Sequence, residues 1–135
     1  TMILGGRVAE ELVYGSDNIT TGAQNDLEKV SDLARKMVTV YGMSEKLGNM
    51  AYGKSQEHVF MGRDFGHQRD YSDEIAFEID KEVKQIVEER YNIAKELLSQ
   101  NRDMLDRLSH ELLDKETLDD SEFEEIMKAV EQERA

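Results

Sequence analysis

The sequence predicts a mainly α-helical bundle with one irregular, glycine-containing segment near residues 42–71. The 135-residue chain contains no proline, which would otherwise break long helices. Apolar residues recur every three to four positions along most of the chain, a spacing that places them on one face of a helix. Glycines interrupt this spacing within residues 42–71. We expect that segment to be a loop, either with short extended pieces near 49–52 and 58–61 or with a short β-hairpin.

The first two helices are expected at residues 1–14 and 24–41. The chain starts inside the first helical pattern without a capping residue, and we expect this start to be a truncation. The second helix ends before Gly42, a residue that readily adopts the left-handed conformation after a helix. Its predicted apolar stripe consists of Leu27, Val30, Ala34, Met37, Val38 and Tyr41.

Three further helices are expected at residues 72–100, 101–115 and about 119–131. Ser72 is suited to cap the first of these, because its hydroxyl can accept a hydrogen bond from a free backbone amide. Asp119 and Glu122 have the spacing of a capping box at the start of the last helix. With 135 residues, the chain is long enough for one domain, or for a large part of one.

The charge balance excludes several classes of partner. With 17 basic and 30 acidic residues, the net charge is −13. Binding to nucleic acid is not expected, because phosphate contacts need clustered lysine and arginine. An anionic membrane surface would repel the chain, and no apolar run or signal peptide indicates a membrane span or secretion. The absence of cysteine excludes disulfides and thiolate metal sites.

Two features resemble parts of ligand-binding sites but lack the sequence context that such sites need. Residues 48–55, Gly-Asn-Met-Ala-Tyr-Gly-Lys-Ser, match a phosphate-binding loop, but neither a preceding apolar strand nor a following helix is predicted. The three histidines, His58, His67 and His110, lack the spacing that places two imidazoles on one helix face. We therefore expect no nucleotide site at 48–55, and we expect histidines that are solvated or structural.

Asp26 is the candidate functional residue. It lies in the predicted first turn of the second helix, where a carboxylate commonly interacts with free amides and the helix dipole. It also precedes Leu27 and so borders the predicted apolar stripe, from which it could reach an interior cleft. The residues alone favour the ordinary role of a helix-start acid over that of a ligand.

Five stretches of sequence together resemble one known family. They are Gly-Gly-Arg-Val-Ala-Glu-Glu at 5–11, Thr-Gly-Ala-Gln-Asn-Asp at 21–26, Tyr-Gly-Met-Ser-Glu-Lys-Leu-Gly at 41–48, Val-Phe-Met-Gly-Arg-Asp at 59–64 and Lys-Glu-Thr-Leu at 115–118. This set resembles the proteolytic domain of the FtsH family, the membrane-anchored ATP-dependent zinc metalloproteases, and covers residues 3–128. The resemblance implies that Asp26 is the third zinc ligand.

The same resemblance implies that the chain, residues 1–135, is a single partial domain, the back half of a zinc metallopeptidase domain. The His-Glu-x-x-His helix that supplies the other two ligands and the catalytic base in the family is absent from the sequence. We therefore assign no catalytic and no cofactor-binding residue in this chain, and only Asp26 as a metal ligand. We expect the chain alone to be inactive and not to hold zinc.

For the full-length parent, the resemblance implies a homo-hexamer that degrades unfolded or damaged membrane and soluble proteins. ATP and magnesium would bind a separate ATPase module, and an N-terminal anchor would hold the parent in the membrane. The peptidase domain would then face the cytoplasm, and this part of the chain would be soluble. The alternative from another class is a non-catalytic helical protein-interaction domain, in which Asp26 is only a helix-start acid.

Overall fold

A computed structural model of the chain describes residues 1–53 and 70–135. Within these ranges every regular element is helical, which confirms the mainly α fold. The helices are α1 (Gly5–Tyr14), α2 (Gln24–Thr39), α3 (Asp73–Gln100), α4 (Arg102–Lys115) and α5 (Asp120–Arg134). Short 3-10 turns occupy Met2–Leu4 and Ser16–Asn18.

Several predicted boundaries differ from the structure. The predicted helix at 1–14 is a 3-10 turn followed by α1, and α5 continues beyond residue 131 to Arg134. Residues 49–52 lie in a loop without regular structure, and no β-strand forms there. The piece predicted near 58–61 lies outside the described residues.

α2 ends at Thr39, two residues earlier than predicted, because the backbone after it makes other hydrogen bonds. The Tyr41 amide donates to the Lys36 carbonyl at 3.0 Å, and the Thr39 carbonyl accepts from the Tyr52 amide at 2.7 Å. Gly42 then adopts a φ of 61°, as the predicted stop requires. A side chain at position 42 would also crowd the backbone of Asn49, since an added Cβ would lie 3.3 Å from its Cα.

The described chain divides into two compact units. One unit is Gly22–Tyr91, and it contains α2, residues 42–53 and the first part of α3. Its buried core is formed by Ala34, Val38, Leu47, Ile79 and Val83. Of the predicted stripe of α2, only Ala34 and Val38 belong to this core. Val30 and Met37 are half-buried, whereas Leu27 in the first turn and Tyr41 after the helix end are exposed.

The other unit consists of Thr1–Thr21 and Asn92–Ala135, so it contains α1, the end of α3, α4 and α5. Polar contacts join α1 to α3 and to α4 in this unit. Lys95 on α3 forms an ion pair of 2.9 Å with Glu11 on α1, and the Arg102 Nη1 donates to the Leu12 carbonyl at 2.6 Å. The buried apolar residues of this unit are Leu4, Val8, Ala94, Met104 and Val130.

The two predicted helix caps are present. The Asp119 carboxylate accepts from the Glu122 amide at 2.9 Å, and the Glu122 carboxylate accepts from the Asp119 amide at 3.1 Å, which completes a capping box. Ser72 immediately precedes α3, and its hydroxyl accepts from the Ile75 amide in the first turn at 3.3 Å. In the part of the chain that the structure describes, none of the helices combines the length and the apolar character needed to cross a bilayer.

Candidate functional site

Asp26 occupies the third position of α2 and keeps its carboxylate in contact with solvent. The residue before the helix is Ala23, whose side chain cannot cap the helix. The Asp26 side chain is 44% exposed, and its one ion pair among the described residues is with Lys29, at 3.6 Å. An exposed pair of this kind contributes little to stability. Among the described residues, the Asp26 carboxylate therefore makes no strong internal contact.

The start of α2 also carries a favourable field for an anion. The first amides of a helix have no partner within it, and the helix dipole is positive at this end. Asp26 accepts no hydrogen bond among the contacts of the described residues, so its oxygens can reach a ligand outside the helix. A carboxylate oxygen is a ligand type that zinc accepts.

The described residues do not complete a zinc site around Asp26. Across 1–53 and 70–135, no group of three or more histidine, aspartate or glutamate side chains is placed to hold a metal ion. His110 lies exposed on α4, where its Nδ1 is 2.7 Å from the Asp106 carbonyl, and His58 and His67 lie outside the described residues. The donor type of Asp26 therefore fits zinc, whereas the number of ligands does not.

Glu10 holds the segment that leads toward α2, a role that the sequence analysis did not assign to it. Its carboxylate accepts hydrogen bonds from the Thr20 hydroxyl and from the Thr20 amide, the latter at 2.9 Å. These bonds, the side-chain one first, lower the pKa of Glu10, because they favour the charged carboxylate. The contact joins residues ten positions apart, and no helical spacing indicates it.

A polar cluster in the Gly22–Tyr91 unit fixes residues 44–47 against α3. The Glu82 side chain is 12% exposed and accepts from the buried Ser44 hydroxyl at 2.7 Å. That hydroxyl also accepts from the Leu47 amide at 3.2 Å. Lys46 Nζ lies 3.1 Å from the other Glu82 oxygen and forms an ion pair with it. The Ser44 hydrogen bond is the main cause of a lowered pKa for Glu82.

Residues 52–53 and 70–71 lie side by side. The rings of Tyr52 and Tyr71 meet edge to face with 6.0 Å between centroids, and the Gly53 amide donates to the Asp70 carboxylate at 2.8 Å. The part of the 48–55 stretch that the structure describes follows a turn at 45–47 rather than a strand. The lead-in that a phosphate-binding loop requires is therefore missing.

Comparisons with known proteins match this chain to one family. The family model described as peptidase family M41 matches residues 1–126. The ATP-dependent zinc metalloprotease FtsH 1 of Thermoanaerobacter sp. (strain X514) is 54% identical over 124 residues, which are 92% of this chain and 20% of that relative.

Two other relatives carry the name ATP-dependent zinc metalloprotease FtsH. The protein of Chloroflexus aggregans is 49% identical over 127 residues, covering 94% of this chain and 19% of the relative. The protein of Bacillus subtilis (strain 168) is 48% identical over 126 residues, covering 93% and 20%. The chain therefore spans about a fifth of the length of the curated relatives it matches.

Proposed function

The chain belongs to peptidase family M41, and from this premise we propose that it is the C-terminal part of the proteolytic domain of an ATP-dependent zinc metalloprotease. The observation that carries the proposal is the family match over residues 1–126, which includes the Thr-Gly-Ala-Gln-Asn-Asp run that ends at Asp26. Relatives named as ATP-dependent zinc metalloproteases support it. The chain's share of those relatives, about a fifth, is compatible with part of one domain.

Asp26 is the proposed third zinc ligand of the parent enzyme. Its position in the family motif, its solvent-accessible carboxylate and its lack of a strong internal partner among the described residues support this role. When bound by three protein ligands, zinc activates a water molecule for attack on a peptide bond. The two remaining ligands and the general base would come from a His-Glu-x-x-His helix elsewhere in the parent.

The wider properties of the parent follow from the same family resemblance. We propose a homo-hexamer with a membrane anchor, whose ATPase module binds ATP and magnesium and delivers unfolded or damaged proteins to the peptidase sites. The peptidase domain is proposed to face the cytoplasm. The chain alone is proposed to be inactive, because one carboxylate does not fix zinc geometry and no base is assigned here.

The test compares two aspartates of α2 in the full-length parent. Asp26→Asn is expected to abolish casein cleavage and to reduce the zinc content of the purified enzyme, while ATP hydrolysis stays close to wild type. Asp32→Asn is the matched control, because Asp32 is an exposed aspartate on the same helix. It is expected to leave all three quantities unchanged.

The same measurements separate the proposal from the alternative, a non-catalytic helical interaction domain. If Asp26 is only a helix-start acid, Asp26→Asn lowers both activities slightly through stability and leaves the zinc content unchanged. Normal casein cleavage together with normal zinc content in Asp26→Asn would show that the ligand assignment is wrong.

A further inference from the structure

An apolar groove lies in the unit that contains α4 and α5. It has a volume of about 420 Å³, and the end of α3, α4 and α5 form its walls. Seven of its ten lining residues are apolar, namely Leu97, Leu98, Met104, Leu105, Leu108, Phe123 and Met127. A groove of this size accommodates a few apolar side chains of a ligand.

The rim of the groove leaves large apolar side chains in water. Leu97 is 49% exposed and Phe123 is 45% exposed, although both line the groove. Apolar surface of this kind gains free energy when a partner covers it, because burial removes it from water. Met104 and Met127 can adjust to the shape of an inserted side chain, since methionine is flexible and polarizable.

The surroundings of this groove are acidic. α5 carries six acidic and two basic residues, and among the contacts of the described residues only Glu122 and Glu124 of those six form ion pairs. Glu131 lines the groove itself. The one basic residue in the lining, Arg134, already binds the Asp103 carboxylate, the Asn101 side chain and the Gln100 carbonyl.

The neighbouring surface extends the negative charge. A second groove of about 490 Å³ lies between α4 and α5. Its charged lining has five acidic residues and one arginine, together with His110. A ligand that covers the apolar groove therefore meets an excess of carboxylates around it.

We propose that the apolar groove binds a basic amphipathic helix presented by a partner protein. Such a helix would place apolar residues at positions i, i+3 or i+4 and i+7 into the groove, and its lysine or arginine residues would face the carboxylates. A second copy of this chain is a poor occupant of this groove, because none of the helices α1 to α5 carries more basic than acidic residues. The contacts of the proposed homo-hexamer would use other surfaces. An anionic membrane surface would be repelled by the net charge of −13. The proposal needs neither Asp26 nor zinc.

Binding of synthetic peptides to the chain of residues 1–135 tests the charge requirement. The probe is a fluorescent helical peptide of leucine, alanine and lysine, and its matched control has every lysine replaced by glutamate on the same apolar face. Fluorescence anisotropy is expected to show saturable binding of the lysine peptide and none of the glutamate peptide. Raising the salt from about 50 mM to about 500 mM should weaken the binding, because salt screens exposed charges.

Variants of exposed residues test the location without disturbing the core. Leu97→Ala and Phe123→Ala are each expected to raise the Kd of the lysine peptide about tenfold, because anchoring side chains dominate binding. Leu113→Ala is the matched control, since Leu113 is 81% exposed on α4 and outside the lining. Glu131→Gln is expected to raise the Kd about threefold, whereas Glu45→Gln in the other unit should have no effect. Circular dichroism verifies that each variant is folded.

Several results would overturn the proposal. They are equal binding of the glutamate peptide, an absence of saturable binding by the lysine peptide, and equal effects of Leu97→Ala and Leu113→Ala in folded proteins. Concentration-dependent dimers in sedimentation that Phe123→Ala disrupts would assign the groove to a second copy of the chain instead.

Discussion

The starts of α2 and α5 both contain an aspartate, but the two carboxylates make different contacts. At α5, Asp119 precedes the helix and accepts from the Glu122 amide at 2.9 Å and from the Ser121 hydroxyl at 2.7 Å. At α2, the preceding residue is Ala23, and Asp26 lies inside the first turn with only a 3.6 Å ion pair to Lys29 among the described contacts.

The comparison shows how to separate a structural carboxylate from one that is available for a ligand. A carboxylate that accepts hydrogen bonds from its own helix stabilises that helix, and its pKa falls, as for Asp119, where the bond from the Glu122 amide is the main cause. A carboxylate without such bonds contributes little to the stability of its helix, and its oxygens remain available to bind a ligand. The two aspartates therefore predict opposite patterns when they are replaced.

The largest expected difference is in the peptidase activity of the full-length parent. Asp26→Asn is expected to lower casein cleavage at least about 100-fold, because removal of a metal ligand disrupts the site that activates water. Asp119→Asn is expected to change it less than about twofold at temperatures well below unfolding, because it alters only a helix cap. Comparable losses in the two variants would remove the functional distinction between the helix starts.

Thermal stability should show the reverse order. Asp119→Ala in the chain of residues 1–135 is expected to lower Tm by roughly 2–5 °C, because the Glu122 and Ser121 bonds are lost together. Asp26→Ala is expected to shift Tm by less than about 1 °C, since an exposed ion pair is weak. Differential scanning calorimetry of both variants measures the two shifts. A larger shift for Asp26→Ala would mean that this residue supports the helix after all.

Acid titration tests the other end of α5, where Arg134 joins Asp103. The hydrogen bond from Arg134, the largest influence, lowers the pKa of Asp103 from its ordinary 3.8 to about 2. Because the folded pKa is the lower one, the stabilisation is complete above pH 3.8 and is lost as the pH falls toward 2. Wild type should therefore exceed Arg134→Ala in Tm at pH 6, and this difference should shrink by pH 2.

Arg90→Ala is the control for that titration, because Arg90 is exposed on α3 and has no ion pair among the described contacts. Its Tm difference from wild type should be small and constant with pH. A constant difference for Arg134→Ala over the same range would show that the Asp103 contact does not contribute through its charge.

The smallest expected signal is the response of the chain of residues 1–135 to zinc. Calorimetric titration should give no stoichiometric site of submicromolar Kd, because a tight zinc site needs three or four converging ligands and only Asp26 is assigned. A tight site that disappears in Asp26→Ala and persists in Asp32→Ala would show that other residues of this chain complete the coordination.

Local sequence patterns predicted most of the secondary structure. They failed where contacts with residues distant in the sequence determine the local structure. The capping box of Asp119 and Glu122 was predictable, because its partners are three residues apart. The early end of α2 was not, because the Thr39 carbonyl bonds to Tyr52, thirteen residues later. The exposure of Leu27 likewise depends on how far the core of its unit extends, and the spacing of apolar residues does not contain that information.

For the candidate site, too, part was predictable from local sequence and part was not. Asp26 could be proposed as a ligand from the sequence, because its motif is continuous and carries the family resemblance without any tertiary structure. Only the structure shows that the Asp26 carboxylate is solvent-accessible, that Glu10 binds Thr20, and that Glu82 binds Ser44 and Lys46. It also shows that apolar residues of α3, α4 and α5 line an open groove. Helices, caps and family could be predicted without the structure, because they depend on near neighbours and continuous motifs. Burial, long-range hydrogen bonds and the groove depend on residues that only the folded chain brings together.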